Sequence, residues 1–149
     1  MKITSEEPER LLHTLADFRY QLRLFLLFSE SASQAAGLQA QQHQLLLQVA
    51  GATEGTPVTI AYAAHRLGLK HNSTVELVDR SEREDLIERT TDKDDKRRAI
   101  LRLTRKGRQV LQKLSSEHAR ELNEMAPRLV RALRRVQLHS NSSPVAEAL

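Results

Sequence analysis

Apolar residues recur along this chain with two different rhythms. Near its start, Leu11, Leu15, Phe18, Leu22 and Phe25 follow alternating spacings of four and three, which draws one stripe down the side of a helix. Leu12, Leu26 and Leu27 widen that stripe, and Pro8 suits a first helical turn, so a helix is predicted from about Pro8 to Glu30. The same rhythm returns in Leu111, Leu114, His118, Leu122, Met125, Leu129, Leu133 and Val136 and predicts a long helix from about Thr104 to Val136. Pro127 falls inside that pattern and should kink the helix just upstream. Apolar faces this broad exceed what one small module covers, so the two terminal helices predict pairing with a second copy of the chain.

Shorter elements lie between them. Leu45, Leu46 and Val49 place a helix over 38–52, ended by Gly51, Gly55 and Pro57. Thr59 can cap a short helix from Ile60 to Leu67, whose apolar face is Ile60, Ala63, Ala64 and Leu67. Gly68 can close that helix in the left-handed conformation, and Leu69 then returns to the core. Asn72 or Ser73 is expected to cap the next helix, which runs to about Glu84 with Val75 and Val78 inward. After Asp85 the rhythm becomes that of strands: Leu86–Thr91 and Ala99–Leu103 flank a charged tip, Asp92–Arg98. A short helix, a glycine turn, a second helix and a hairpin form a winged helix-turn-helix. The predicted fold class is therefore mainly α with a small β-hairpin wing. The chain reads as a single domain over 1–149, with dimerisation helices at 8–35 and 108–138 around a winged segment at 36–107. Residues 1–7 read as a tail, and 139–149, rich in Ser, Asn and small residues, as a second, flexible one.

Composition removes several function classes. Hydrophobic residues make up 40% of the 149 and charged residues 28%, the balance of a globular protein. There is no cysteine, which excludes disulfides, thiolate metal sites and thiol redox sensing. Phe18, Tyr20, Phe25, Phe28 and Tyr62 are the only aromatics, too few for a base-stacking platform on single strands. No run approaches the ~18 apolar residues of a membrane span. The acids near Met1 do not suit a secretory leader, so a cytoplasmic protein with no membrane partner is expected. No phosphate-cradling glycine loop, HExxH or GxSxG occurs, and His13, His43, His65, His118 and His139 are scattered. No catalytic residue, cofactor or metal ligand is assigned, and the chain does not read as an enzyme. His43 and His118, near the junction of the terminal helices and the winged segment, are read as packed or surface side chains.

The placement of charge says more than the net +4. From Lys96 to Arg108 there are seven Lys or Arg and no acid, an electrostatic footprint for phosphate. The acids of the tip, Asp92, Asp94 and Asp95, make the loop more than a sticky basic patch; an Asp there can hold an arginine by a bidentate pair. The second helix of the helix-turn-helix opens with Lys70, His71, Asn72, Ser73, Thr74 and Glu76, side chains able to bond base edges and phosphates of a duplex. The candidate DNA-binding residues are thus Lys70, His71, Asn72, Ser73, Thr74 and Glu76 on the helix and Lys96, Arg97 and Arg98 on the wing, with Asp95 orienting the wing.

From Leu38 to Leu111 the chain resembles the MarR (multiple antibiotic resistance regulator) family. The resemblance is carried by Leu67-Gly68-Leu69, Ser73-Thr74-Val75, Leu77-Val78-Asp79-Arg80, Leu86-Ile87, the Asp92-x-x-Asp95-Lys96-Arg97 wing and Leu103-Thr104-x-x-Gly107. It implies a homodimer on a pseudo-palindromic operator in double-stranded DNA. Helix 72–84 would lie in the major groove and Arg97, steadied by Asp95, in the minor groove. It also implies a repressor released by a small aromatic or phenolic effector. Relatives often carry Gly where this chain has Asp85 and Leu where it has Ser81; the first asks Asp to adopt a left-handed conformation, and the second is expected to lose core burial. Two other readings stay open at this point: a constitutive or architectural DNA-binding protein without an effector, and a winged helix used only for protein contacts.

Overall fold

The computed structural model describes residues 6–142. Its elements, in order, are α1 (Glu6–Ala35), α2 (Ala40–Ala50), α3 (Ile60–Leu67), α4 (His71–Arg83), β1 (Ile87–Thr91), β2 (Ala99–Leu103) and α5 (Arg105–Ser142). The class is the expected one, mainly helical with one two-stranded antiparallel hairpin. Both terminal helices outrun their predicted ends. α1 continues to Ala35, and α5 passes through Pro127 and includes 139–142, which composition alone assigns to a tail. Within that extension the Ser140 hydroxyl donates to the Val136 carbonyl one turn back, at 3.1 Å, so this small polar residue is accommodated inside the helix. The remainder of both predicted tails lies outside the described residues.

The described residues divide into two compact units, 30–117 and a second made of 6–29 with 118–142. In the second unit, His118 is buried; its Nε2 lies 2.8 Å from the Ser29 hydroxyl, and the rings of Phe25 and Phe28 meet its imidazole edge-on. Met125 and Ala132 are also buried. Thr14, Gln21 and Ser29 take the inner side of α1 here, whereas Leu12, Leu15, Leu26 and Leu27 on α1 and Leu122, Val130, Leu133 and Leu138 on α5 stay exposed.

The first unit is the winged segment. Its core joins Leu45, Leu46 and Val49 of α2, Ala63 of α3, Leu77 and Val78 of α4, Leu86, Ile87 and Leu101 of the hairpin, and Leu111 and Leu114 of α5. α3 forms where predicted. The Thr59 hydroxyl accepts from the Tyr62 N–H at 3.1 Å, and Gly68 ends the helix at φ 65°, where a side chain is disfavoured. α4 corrects two expectations. Lys70, not Asn72 or Ser73, holds the cap position, in an extended conformation. Thr74, not Val75, faces inward: it is fully buried, and Val75 only half-buried. The inner face is Thr74, Leu77, Val78 and Ser81, positions that a rotation of about 100° per residue brings to one side. Both hydroxyls stay satisfied there, Thr74 donating to the Lys70 carbonyl at 2.9 Å and Ser81 to the Leu77 carbonyl at 2.8 Å. Ser81 is therefore fully buried with no unmet polar group, where loss of burial was expected.

The hairpin pairs Ile87 with Leu103, Arg89 with Leu101 and Thr91 with Ala99. The Leu101 N–H also donates to the Val58 carbonyl at 2.8 Å, tying β2 to the loop before α3. At the hairpin's base the chain crosses itself. Asp85 takes the left-handed conformation asked of it, φ 58°, and Leu86 N–H returns to the Ser81 carbonyl at 2.9 Å. Thr104 then donates its N–H to the Leu86 carbonyl and its hydroxyl to the Asp85 carbonyl, while that hydroxyl accepts from Gly107 N–H at 3.0 Å, capping α5. Gly107 lies so close that a Cβ on it would stand 2.1 Å from the Leu86 oxygen. Gly107→Ala should therefore force the backbone apart and cost roughly 1–3 kcal/mol or more. A urea unfolding midpoint unchanged from the unaltered protein would refute that contact.

Candidate nucleic-acid interface

Opposite the buried face of α4, the same rotation points Asn72, Glu76, Asp79 and Arg83 outward. His71, Asn72, Ser73 and Glu76 are exposed, as is Lys70 just before the helix. Among the described residues, none of these five side chains has a hydrogen bond or ion pair within the chain, so their donors and acceptors face solvent unengaged. Thr74, expected with them, does not share this surface, because it is buried and bonded to Lys70.

The C-terminal half of α4 is held instead. Arg89 of β1 reaches back to two acids of the helix, bonding Asp79 through Nη2 and Glu82 through Nε at 3.1 Å. Arg80 donates to the Gln39 side chain ahead of α2, and the buried Gln42 donates to Glu84 at 2.8 Å while accepting from the Gln39 N–H. The recognition-type helix is thus clamped to the wing on one side and to α2 on the other. The sequence reading missed Arg89 in this role. The signal available to it was a pair of acids three apart, Asp79 and Glu82, on the last turns of a helix whose following strand carries an arginine. It also missed Arg83, exposed and on the outward stripe.

The wing tip is ordered by its acids. Asp95 accepts from the Arg97 backbone N–H at 3.0 Å, from Arg97 Nε at 3.1 Å and from Nη2 at 3.4 Å, yet the Arg97 side chain is 91% exposed. The guanidinium is aimed without being covered. Asp92 makes the second half of the tip, accepting from Asp94 N–H at 3.0 Å and from Arg98 Nε. Both carboxyls are held below their ordinary value, Asp95 first by the Arg97 side chain and Asp92 first by the Asp94 N–H and then by Arg98. Lys96, between Asp95 and Arg97, is exposed, as is Arg102 on β2, directly across from Glu88. The structure brings Lys70, His71, Asn72, Ser73 and Glu76 to one helix end and Lys96, Arg97 and Arg98 to one hairpin tip, with Asp95 bonded to Arg97 as expected. Among the described residues no cluster of His, Cys, Asp or Glu suits a metal ion, and no helix is long and apolar enough to cross a membrane.

Comparison with known proteins places this arrangement. Similar solved structures include a MarR family transcription regulator, 19% identical, with a TM-score of 0.76 over 94% of this chain and 93% of that one. CouR from Rhodococcus jostii, bound to p-coumaroyl-CoA, is 25% identical with a TM-score of 0.62, over 84% of this chain and 88% of its own. A mutant of S. aureus MepR bound to an oligodeoxyribonucleotide is 21% identical with a TM-score of 0.61, over 83% and 88%. None of the curated proteins matches the chain. The MarR family model matches residues 36–98, the helix-turn-helix and its wing. It is that segment, with its Asp95-held Arg97 and its capped α3-Gly68-α4 turn, that matches the MarR family.

Proposed function

We propose that this protein is a transcription regulator that binds a pseudo-palindromic operator as a homodimer, most simply as a repressor released by a small aromatic or phenolic effector. The observation that carries the reading is the contrast across one segment: the clamped half of α4 and the acid-held wing present an unengaged polar helix end and an exposed, aimed arginine. Lys70, His71, Asn72, Ser73 and Glu76 enter the major groove, Lys96 and Arg98 meet phosphate, and Arg97 enters the minor groove, whose narrow A·T-rich form attracts arginine. The relative bound to an oligodeoxyribonucleotide supports the DNA arm of this reading, and the relative bound to p-coumaroyl-CoA supports a phenolic effector. The exposed large apolar side chains on α1 and α5 support the dimer, since a second copy of the chain would take them out of water.

Two kinds of measurement test it. Binding to duplex DNA should weaken steeply with salt. Lys96→Ala or Arg98→Ala should each lower the magnitude of the log–log salt slope by about 0.9 if that residue meets a phosphate. Arg97→Ala should weaken operator binding, and Asp95→Ala should weaken it several-fold too, although it removes a negative charge near DNA. Tighter binding by Asp95→Ala would reduce Asp95 to a repulsive charge, and a flat salt dependence would end the DNA-binding reading. For the dimer, Leu12 and Leu138 are each 66% exposed, so Leu12→Glu with Leu138→Glu should leave the helices intact but bury unpaired carboxylates in a dimer. Sedimentation at micromolar concentration should show a dimer for the unaltered chain and a monomer for the variant. A monomer in both cases overturns the dimer.

A further inference from the structure

Of the three acids on α4, two are held from the wing and one is not. Asp79 and Glu82 are taken by Arg89. Glu76 is exposed, and among the described residues its side chain has no hydrogen bond or ion pair. On the wing, Asp95 is taken by Arg97 and Asp92 by Arg98. The helical neighbours of Glu76 at three and four residues are Asn72, Ser73, Asp79 and Arg80. Arg80, the one cation among them, donates to Gln39, and Asp79 brings a second negative charge engaged elsewhere. Glu76 therefore stands as a bare carboxylate in the middle of the outward stripe, one turn and about 6 Å along the helix axis from Asn72.

A carboxylate can only accept hydrogen bonds. If the α4 end enters the major groove, the donors it can meet there are the exocyclic amino groups of cytosine and adenine, whereas guanine and thymine turn acceptors toward it. Adenine sets its N7 acceptor beside N6, which suits an amide and opposes the second carboxylate oxygen. Cytosine has no such neighbour. We infer that Glu76 is a specificity-determining residue that accepts from cytosine N4 at one symmetric position in each operator half-site. This rests on the DNA-binding reading above and goes beyond it by assigning a base to a residue. An acid that merely balanced charge within the helix would be paired, as the other two acids of α4 are.

The test is selection of bound sequences from random duplex DNA, followed by affinities for all four bases at the position assigned, for the unaltered protein, Glu76→Gln and Glu76→Ala. Helicity and melting temperature are checked first, and both variants should fold because Glu76 is exposed and unbonded. The unaltered protein should prefer cytosine there by roughly 5- to 150-fold. Glu76→Gln should move the preference at that position toward adenine, which an amide can bond through N6 and N7. Glu76→Ala should lose the preference at that position alone while binding non-specific duplex more tightly, since a negative charge has gone. If Glu76→Ala instead tightens binding to every sequence equally and leaves all preferences unchanged, Glu76 only repels phosphate and the inference is wrong. If the unaltered protein selects no duplex sequence at any salt, the DNA-binding reading fails first and takes this one with it.

Discussion

The contact between Gly107 and the Leu86 carbonyl fixes where everything on the wing can be. The chain leaves α4 through the left-handed Asp85, runs out and back as the hairpin, and returns to pack against its own departure point. Thr104 closes that loop twice, donating to Asp85 and accepting from Gly107. With both ends of the hairpin pinned, a slip of one residue would turn Ile87 and Leu101 out of the core. The same register sets Arg89 where it can reach Asp79 and Glu82. The clamp between wing and helix is thus a consequence of the junction, and it holds the outward stripe of α4 in one setting relative to the wing.

The ion pairs of this surface are partly exposed, and pairs of that kind add little to stability. Their effect lies in geometry. Arg89 commits its guanidinium to two acids of α4, so the wing and the helix keep one relative setting before any partner arrives. Asp95 removes rotamer freedom from Arg97 while leaving it almost wholly accessible, and a side chain ordered in advance loses less entropy on binding. Because both tip carboxyls are held below their ordinary value, this order survives as the pH falls from neutral toward the usual carboxylate range.

Much of this was legible in the sequence wherever the cause is local. Thr59 and Gly68 punctuate α3 because a hydroxyl cap and a left-handed glycine act within a few residues, and the Asp95–Arg97 pair spans only two. Asp85 could be expected at positive φ through the family resemblance, since relatives often carry Gly there and Asp tolerates that conformation better than most residues. The failures share one origin. A search for apolar periodicity assigns hydroxyl residues to the surface, but Thr74 and Ser81 bury themselves by bonding carbonyls one turn back. The end of α5 was misplaced because small polar residues were read as a tail, whereas Ser140 lies within the helix with its hydroxyl bonded to the carbonyl one turn back. The Arg89 clamp and the Gln42–Glu84 bond join residues that only the folded chain brings together. The terminal stripes were visible as apolar, but their spacing could not tell that Leu12 and Leu138 stay outside while Thr14 and Gln21 turn in.

The distribution of acids ties these points together. A surface built only to attract phosphate would gain from having no carboxylates, since each weakens the field that draws in a polyanion. This one keeps several and uses four of them structurally. Two hold the wing against α4, and two shape the tip. In those places the carboxylate still subtracts from the long-range field, but that loss is offset by the ordering of an arginine. Glu76, on the outward stripe of the helix, has no such offset and no packing role. If α4 faces DNA as proposed, an uncompensated carboxylate on it lowers affinity for every sequence except one that supplies a donor where it stands, and a residue that penalises most sequences while sparing a few is a source of discrimination rather than of affinity.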